Sequence, residues 1–237
     1  MNMNIKNKPI GILGGMGPDA SARLYQMMID MSRDEFGVRK NHEYPEIVLQ
    51  SIPVPEFFSN TSKVEEATFM LKDRVKKMCL QPLSCIGMVC NTAHTTLIDL
   101  EQVSQMPFIS IAKEITKEIV KRGYKRVGLL GSPTTIFSGV YQTELLKEDI
   151  EVELPENGDI EKLEKIIGEI IGGEFKKPKK KLLKISDNLK KKKVEAIILG
   201  CTELPLVFPK NYSLPVLDSL SILARSLLQC YYQKENI

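Results

Sequence analysis

A short apolar run ending in glycine occurs twice in this 237-residue chain, and the second copy brings its neighbours with it. Ile10-Gly11-Ile12-Leu13-Gly14 matches Val127-Gly128-Leu129-Leu130-Gly131. Ile86-Gly87-Met88-Val89-Cys90 resembles Ile197-Ile198-Leu199-Gly200-Cys201, and Pro107-Phe108-Ile109-Ser110 resembles Pro215-Val216-Leu217-Asp218. The order is the same each time, and the intervals nearly so: 76 positions from Gly14 to Cys90 against 70 from Gly131 to Cys201, then 17 to Pro107 against 14 to Pro215. Apolar strand ends followed by small residues recur by chance, but three in one register point to an internal duplication. The fold must therefore be one that can be built twice, and at roughly 100 to 200 residues per domain the length leaves room for it.

The local pattern says which fold. Ile10 to Leu13 predicts a strand, Gly14-Gly15-Met16-Gly17-Pro18 a turn, and Ala20 to Met31 a helix with Pro18 at its first position. Strands are expected again at Ile47 to Ile52, Ile86 to Val89, Val127 to Leu130 and Ala196 to Leu199. Helices are expected at Val64 to Met78, from Thr95, at Glu161 to Ile171 and at Lys181 to Leu189. Alternation of this kind predicts an α/β protein of two pseudo-symmetric domains, each a mainly parallel sheet flanked by helices. The first domain is expected over residues 1–103, completed by a C-terminal helix at 218–237, and the second over 104–217.

Ligands of open α/β sheets bind outside the carboxyl ends of the strands, and each half places one cysteine there: Cys90 and Cys201. If the halves face each other, the two thiols share one cleft. A thiol at a helix start sits among orphan N–H groups, which favour thiolate over thiol. Cys79 and Cys230 fall within helical apolar patterns and Cys85 just before a strand, so these three read as small core residues. Opposed thiols suit removal of a proton from one face of a carbon and its return to the other, with preorganised donors holding the developing carbanion.

The odd cysteine count, the polar stretch Met1 to Pro9 and the lack of a run of about 18 apolar residues predict a cytoplasmic chain with free thiols and no membrane span. Net charge is +3. Its distribution is uneven, because ten lysines and one opposing acid, Asp187, lie between Lys176 and Lys193; that segment carries +9 and the remainder −6. Leu182, Ile185 and Leu189 keep helical spacing through it, which predicts a solvated helix face rather than a nucleic-acid site, since interleaved aromatics are missing.

Gly14-Gly15-Met16-Gly17-Pro18, Cys90-Asn91-Thr92-Ala93-His94 and Gly200-Cys201-Thr202-Glu203 together resemble the aspartate/glutamate racemase family of cofactor-independent amino-acid racemases, over essentially the whole chain. The resemblance implies a site between two domains, a small amino-acid substrate, a homodimer, and two-base chemistry without pyridoxal phosphate, in which Cys90 and Cys201 are the acid/base residues. It implies substrate binding by Met16, Gly17, Gln50, Asn91, Thr92, Ala93, Thr134 and Thr202. His94 reads either as a cap-region histidine or as a thiolate partner one helical turn from Cys90. Glu203 reads as a positioning or proton-handling residue whose charge would raise the Cys201 thiol.

Two departures bear on the substrate. Aspartate-specific relatives carry an arginine after the second strand, where this chain reads Pro53-Val54-Pro55-Glu56-Phe57, and a lysine about 30 residues before the second cysteine, where it has Ile171. Aspartate, glutamate and a broader set of amino acids therefore stand together as substrates. An isomerase or decarboxylase of a related dicarboxylic acid is the alternative in the same cleft. Gly15-x-Gly17-x-x-Ala20 fits a loose dinucleotide-binding pattern, but Gln50 stands where the acidic residue belongs, so no nicotinamide cofactor is expected. Cys79, Cys85, Cys90 and His94 are spaced by six, five and four through a strand, not as a zinc knuckle, so no metal is expected either.

Overall fold

The computed structural model describes residues 8–55 and 63–232. Two four-stranded parallel sheets are flanked by helices. The first is built from β1 (Ile10–Gly14), β2 (Ile47–Ser51), β3 (Cys85–Met88) and β4 (Phe108–Ile109) in the order β2-β1-β3-β4. The second is built from β5 (Arg126–Gly131), β6 (Glu151–Glu153), β7 (Ala196–Gly200) and β8 (Val216–Asp218) in the order β6-β5-β7-β8. The two orders are the same. In each, the chain steps outward from the glycine-ended strand and then crosses back to its other side, so strand order reverses between β1 and β3 and again between β5 and β7. A crevice opens at such a reversal, and the register carries Leu13 beside Met88 and Gly131 beside Gly200. The glycine turn and the cysteine of each half thus flank one crevice.

The central strands β1, β3 and β7 are buried at every residue, as parallel strands covered on both faces must be. Helix α1 (Pro18–Asp34) buries Ala20, Leu24 and Met28, and α2 (Val64–Met78) buries Ala67, Leu71, Val75 and Met78, in both cases at helical spacing. After the short α3 (Leu97–Glu101), α4 (Ile111–Arg122) starts at the Ser110 cap, whose oxygen accepts from Lys113 N–H, and stops at Gly123 with φ of 73°. The short α5 (Pro133–Phe137) and α6 (Val140–Leu146) follow β5. Then α7 (Asn157–Ile171) and α8 (Lys176–Lys191) cover the second sheet, and α9 (Leu204–Val207) follows β7.

Helix α10 (Ser219–Tyr232) packs on α1, α4 and β3. Gly87 makes that approach possible: a Cβ there would lie 2.8 Å from Leu227 of α10. One continuous core joins β1 and α1 to β5, β7 and α10, and a smaller cluster lies between α2 and the first sheet.

The α/β class and the paired parallel sheets agree with the sequence reading, and α2 has the expected limits. Several details differ. The strand at Phe108–Ile109 pairs with β3, so the first sheet extends past residue 103. The helix expected from Thr95 is a 3-10 turn over Thr92–Thr96 before α3. Cys85 is the first residue of β3 rather than its antecedent. Helix α8 covers the lysine-rich segment as far as Lys191 and buries Pro178, Leu182, Ile185, Ser186 and Leu189, while Lys181 pairs with Glu169 of α7 at 2.6 Å. Glu56 and Phe57, most of the polar start and the last five residues of the expected 218–237 helix lie outside the described residues.

Candidate active site

The first glycine turn is shaped by backbone rather than by side chains. Gly15 has φ of +90°, and a Cβ on it would sit 2.3 Å from the backbone nitrogen of Ile52, so only glycine fits. Its N–H donates to the Ser21 hydroxyl at 2.9 Å, and that hydroxyl donates to Gly17 C=O at 3.0 Å, tying the turn to α1.

Cys90 follows β3. The N–H groups of Thr92 and Ala93 and the Thr92 hydroxyl reach its sulfur and favour thiolate, as expected of a turn start. They lose to larger effects. Burial pushes the thiol up to about 12, and the Glu203 carboxylate pushes the same way. Cys201 follows β7 and donates its own hydrogen to Glu203 Oε2 at 3.0 Å. Burial, then the charge and hydrogen bond of Glu203, hold it well above the ordinary thiol range, and the neighbouring Cys90 adds to this. The expected preference for thiolate is therefore overturned at both positions, because a buried site with a carboxylate in it outweighs a few N–H dipoles.

Glu203 joins the halves. It is buried; Oε1 accepts from Gly17 N–H at 3.0 Å, and Oε2 accepts from Thr202 Oγ1 at 3.1 Å as well as from Cys201. A second seam is made of hydroxyls. Thr92 Oγ1 lies 2.9 Å from Ser132 Oγ and 3.0 Å from Thr135 Oγ1, and those two lie 3.0 Å apart. Asn91 is held by Ser219, to which its Nδ2 donates at 3.1 Å, and by the buried Tyr141 hydroxyl, which donates to its Oδ1. No sequence signal marks Tyr141 or Ser219, which lie 50 and 128 positions from Asn91.

His94 does not touch the Cys90 thiol. Its Nε2 accepts from Ile111 N–H at 3.1 Å, which leaves Nδ1–H to donate to Cys90 C=O at 2.8 Å. Burial lowers its pKa, so the neutral ring is the stable form. It is a strut between the strand end and α4, and the thiolate-partner reading falls.

These groups surround a cavity of about 170 Å³. Met16, Gly17, Cys90, Asn91, Thr92, Cys201, Thr202 and Glu203 line it. Gln50, Ala93, Thr134 and His94 do not. Gln50 lies within β2 in register with Leu13, its Oε1 buried without a hydrogen-bond partner. Ala93 is buried and contributes its N–H to Cys90. Thr134 is the second residue of α5, and the capping Ser132 takes the place in the wall instead. The remaining wall is apolar: Pro18, Val54 and Pro55 from the first half, Ile167 and Ile171 from α7. Ile167 was legible only as the residue one turn before Ile171 on the same helix face.

A family model described as Asp/Glu/Hydantoin racemase matches residues 13–227. The broad specificity amino-acid racemase RacX of Bacillus subtilis is 27% identical over 223 residues, covering 94% of this chain and 97% of that protein. Among solved structures, an aspartate racemase homologue from Pyrococcus horikoshii is 32% identical with a TM-score of 0.77, covering 94% of this chain and 98% of that one. Picrophilus torridus aspartate racemase is 26% identical with a TM-score of 0.78, covering 94% and 93%.

Proposed function

The chain belongs to the Asp/Glu/hydantoin racemase family, and from that premise we propose that it inverts the α-carbon of a free amino acid by passing protons between Cys90 and Cys201. The observation that carries this reading is the presence of both thiols in the wall of one small cavity at the two strand-order reversals. One cysteine, as thiolate, takes the α-proton; the Cα–H bond breaks and its electron pair stays on carbon. The other, as thiol, gives its proton to the opposite face of that carbon. The two exchange protonation states with each turnover, and the mirror-image substrate runs the sequence backwards.

Both thiols are held protonated before substrate binds, so one must release its proton to solvent, helped by the charge of the substrate. Its α-ammonium is suited to this: a cation beside a thiol favours the thiolate, and Glu203 is the anionic carboxylate in the wall to meet it. The backbone N–H groups after Cys90 supply donors as charge grows on the carboxylate side of the substrate. No pyridoxal phosphate takes part in this scheme. On the same reading the two domains divide after β4 rather than at residue 103, α10 completes the first, and the protein acts as a homodimer, which light scattering tests. Among the described residues no helix is long and apolar enough to cross a membrane.

The test is a panel of L- and D-amino acids incubated with the protein in deuterated water without pyridoxal phosphate. Inversion is followed by chiral chromatography and α-deuteration by NMR. The expected outcome is deuterium at Cα accompanying inversion. Inversion with the α-hydrogen retained would exclude exchange through thiols.

A further inference from the structure

The mixed wall of the cavity bears on which amino acid enters it. Its polar side chains are already engaged: Asn91 by Tyr141 and Ser219, Thr92 by Ser132 and Thr135, and Thr202 by Glu203. The free surface left to a substrate side chain is aliphatic, made chiefly by Val54, Pro55, Ile167 and Ile171. Among the described residues no lysine or arginine lines the cavity, and its one carboxylate is Glu203.

We infer that this wall selects an amino acid with an uncharged aliphatic side chain and disfavours aspartate and glutamate. The inference rests on the racemase reading above. A second carboxylate would be buried without a counter-ion and close to Glu203, where both desolvation and like-charge repulsion oppose it. A long cationic side chain would lose hydration against the same aliphatic surface. A leucine or methionine side chain instead covers Ile167 and Ile171 and leaves no polar group unpaired. Ile171 is 37% exposed, so it stands where the wall meets solvent, and a charge introduced there has room to be hydrated.

The experiment compares kcat/KM for aspartate, glutamate, lysine, leucine and methionine in wild type and in Ile171→Lys, by α-deuteration in deuterated water. Circular dichroism confirms that the variant is folded. Leucine and methionine are expected to exceed both acidic amino acids by about tenfold or more in the wild type. Ile171→Lys is expected to narrow or invert that ratio by improving the acidic substrates. Wild-type turnover of aspartate, glutamate or lysine at least as fast as of leucine overturns the inference and leaves the racemase reading standing. An unchanged ratio in folded Ile171→Lys overturns it too. Absence of α-deuteration with every amino acid in cooperatively melting wild-type protein removes the racemase reading, and the inference falls with it. The wild-type ratio decides by itself if the variant does not fold.

Discussion

Cys90 is followed by a tight turn whose Thr92 and Ala93 N–H groups reach back to its sulfur, whereas Cys201 gives its own hydrogen to a carboxylate two residues on. The strands before them are equivalent, central in sheets of the same order, and both end in the same cavity. Duplication has thus preserved the backbone geometry and let the companions diverge, His94 on one side and Glu203 on the other. The neutral imidazole bonds to backbone and leaves its thiol to N–H donors; the carboxylate bonds to its thiol directly and favours the protonated form. The carboxylate thus bears on both thiols, but only Cys201 is bonded to it.

The largest expected effect comes from removing one partner of the pair. Cys90→Ala and Cys201→Ala should each reduce racemisation by about 10²- to 10⁴-fold. Each variant should still wash deuterium into a single enantiomer, and into opposite ones in the two variants; exchange of the same enantiomer by both would end the idea of opposed thiols. Glu203→Gln comes next. It removes the charge that adds to burial in holding both thiols protonated, so thiolate should appear at lower pH, more so at Cys201, where the carboxylate also accepts the thiol hydrogen. Ultraviolet absorbance of the thiolate reports this, the rising alkaline limb of kcat/KM should move the same way, and the rate at fixed pH should change by roughly tenfold.

His94→Ala should leave thiol titration where it was, since the ring touches backbone only. It strands Ile111 N–H and Cys90 C=O, at a cost of about 1–3 kcal/mol in urea unfolding. His94 also predicts a pH dependence. Its folded pKa is lowered below the ordinary 6.5 by burial, so below pH 6.5 the unfolded chain takes up a proton that the folded chain refuses. Wild-type stability should therefore fall as pH drops through and below 6.5, and that slope should shrink in His94→Ala. The smallest effect is expected far from both corners: Lys184→Gln, on the exposed face of α8, should change stability by less than about 0.5 kcal/mol.

The repeat was legible because strands that pack on both faces must be continuously apolar and must end where a ligand crevice opens; Ile10 to Gly14 and Ala196 to Gly200 show this directly. Helix α4 also left marks that could have been used, the Ser110 cap, the Ile111, Ile115 and Ile119 spacing and Gly123 at its end. What stayed hidden was contact between the halves. Nothing local ties Glu203 to the Gly17 N–H, 186 positions away, or Thr92 to Ser132, 40 away. The state of the thiols was hidden for a related reason: the helix-start dipoles, and Glu203 beside Cys201, are written in the sequence, but the burial of both thiols and the approach of that carboxylate to Cys90 are properties of the assembled cavity.

The three hydroxyls at the seam, Thr92, Ser132 and Thr135, form a triangle with sides of 2.9, 3.0 and 3.0 Å. Each has one hydrogen to give, and when the Thr92 hydroxyl gives its own to the Cys90 sulfur, Thr92 can only receive from Ser132 and Thr135. Ser132 keeps a lone pair for the Thr135 N–H, 3.1 Å away. The clasp between the two halves therefore takes its polarity from the Cys90 thiol. The charge on one thiol is thereby carried into the orientation of hydroxyls on both sides of the seam.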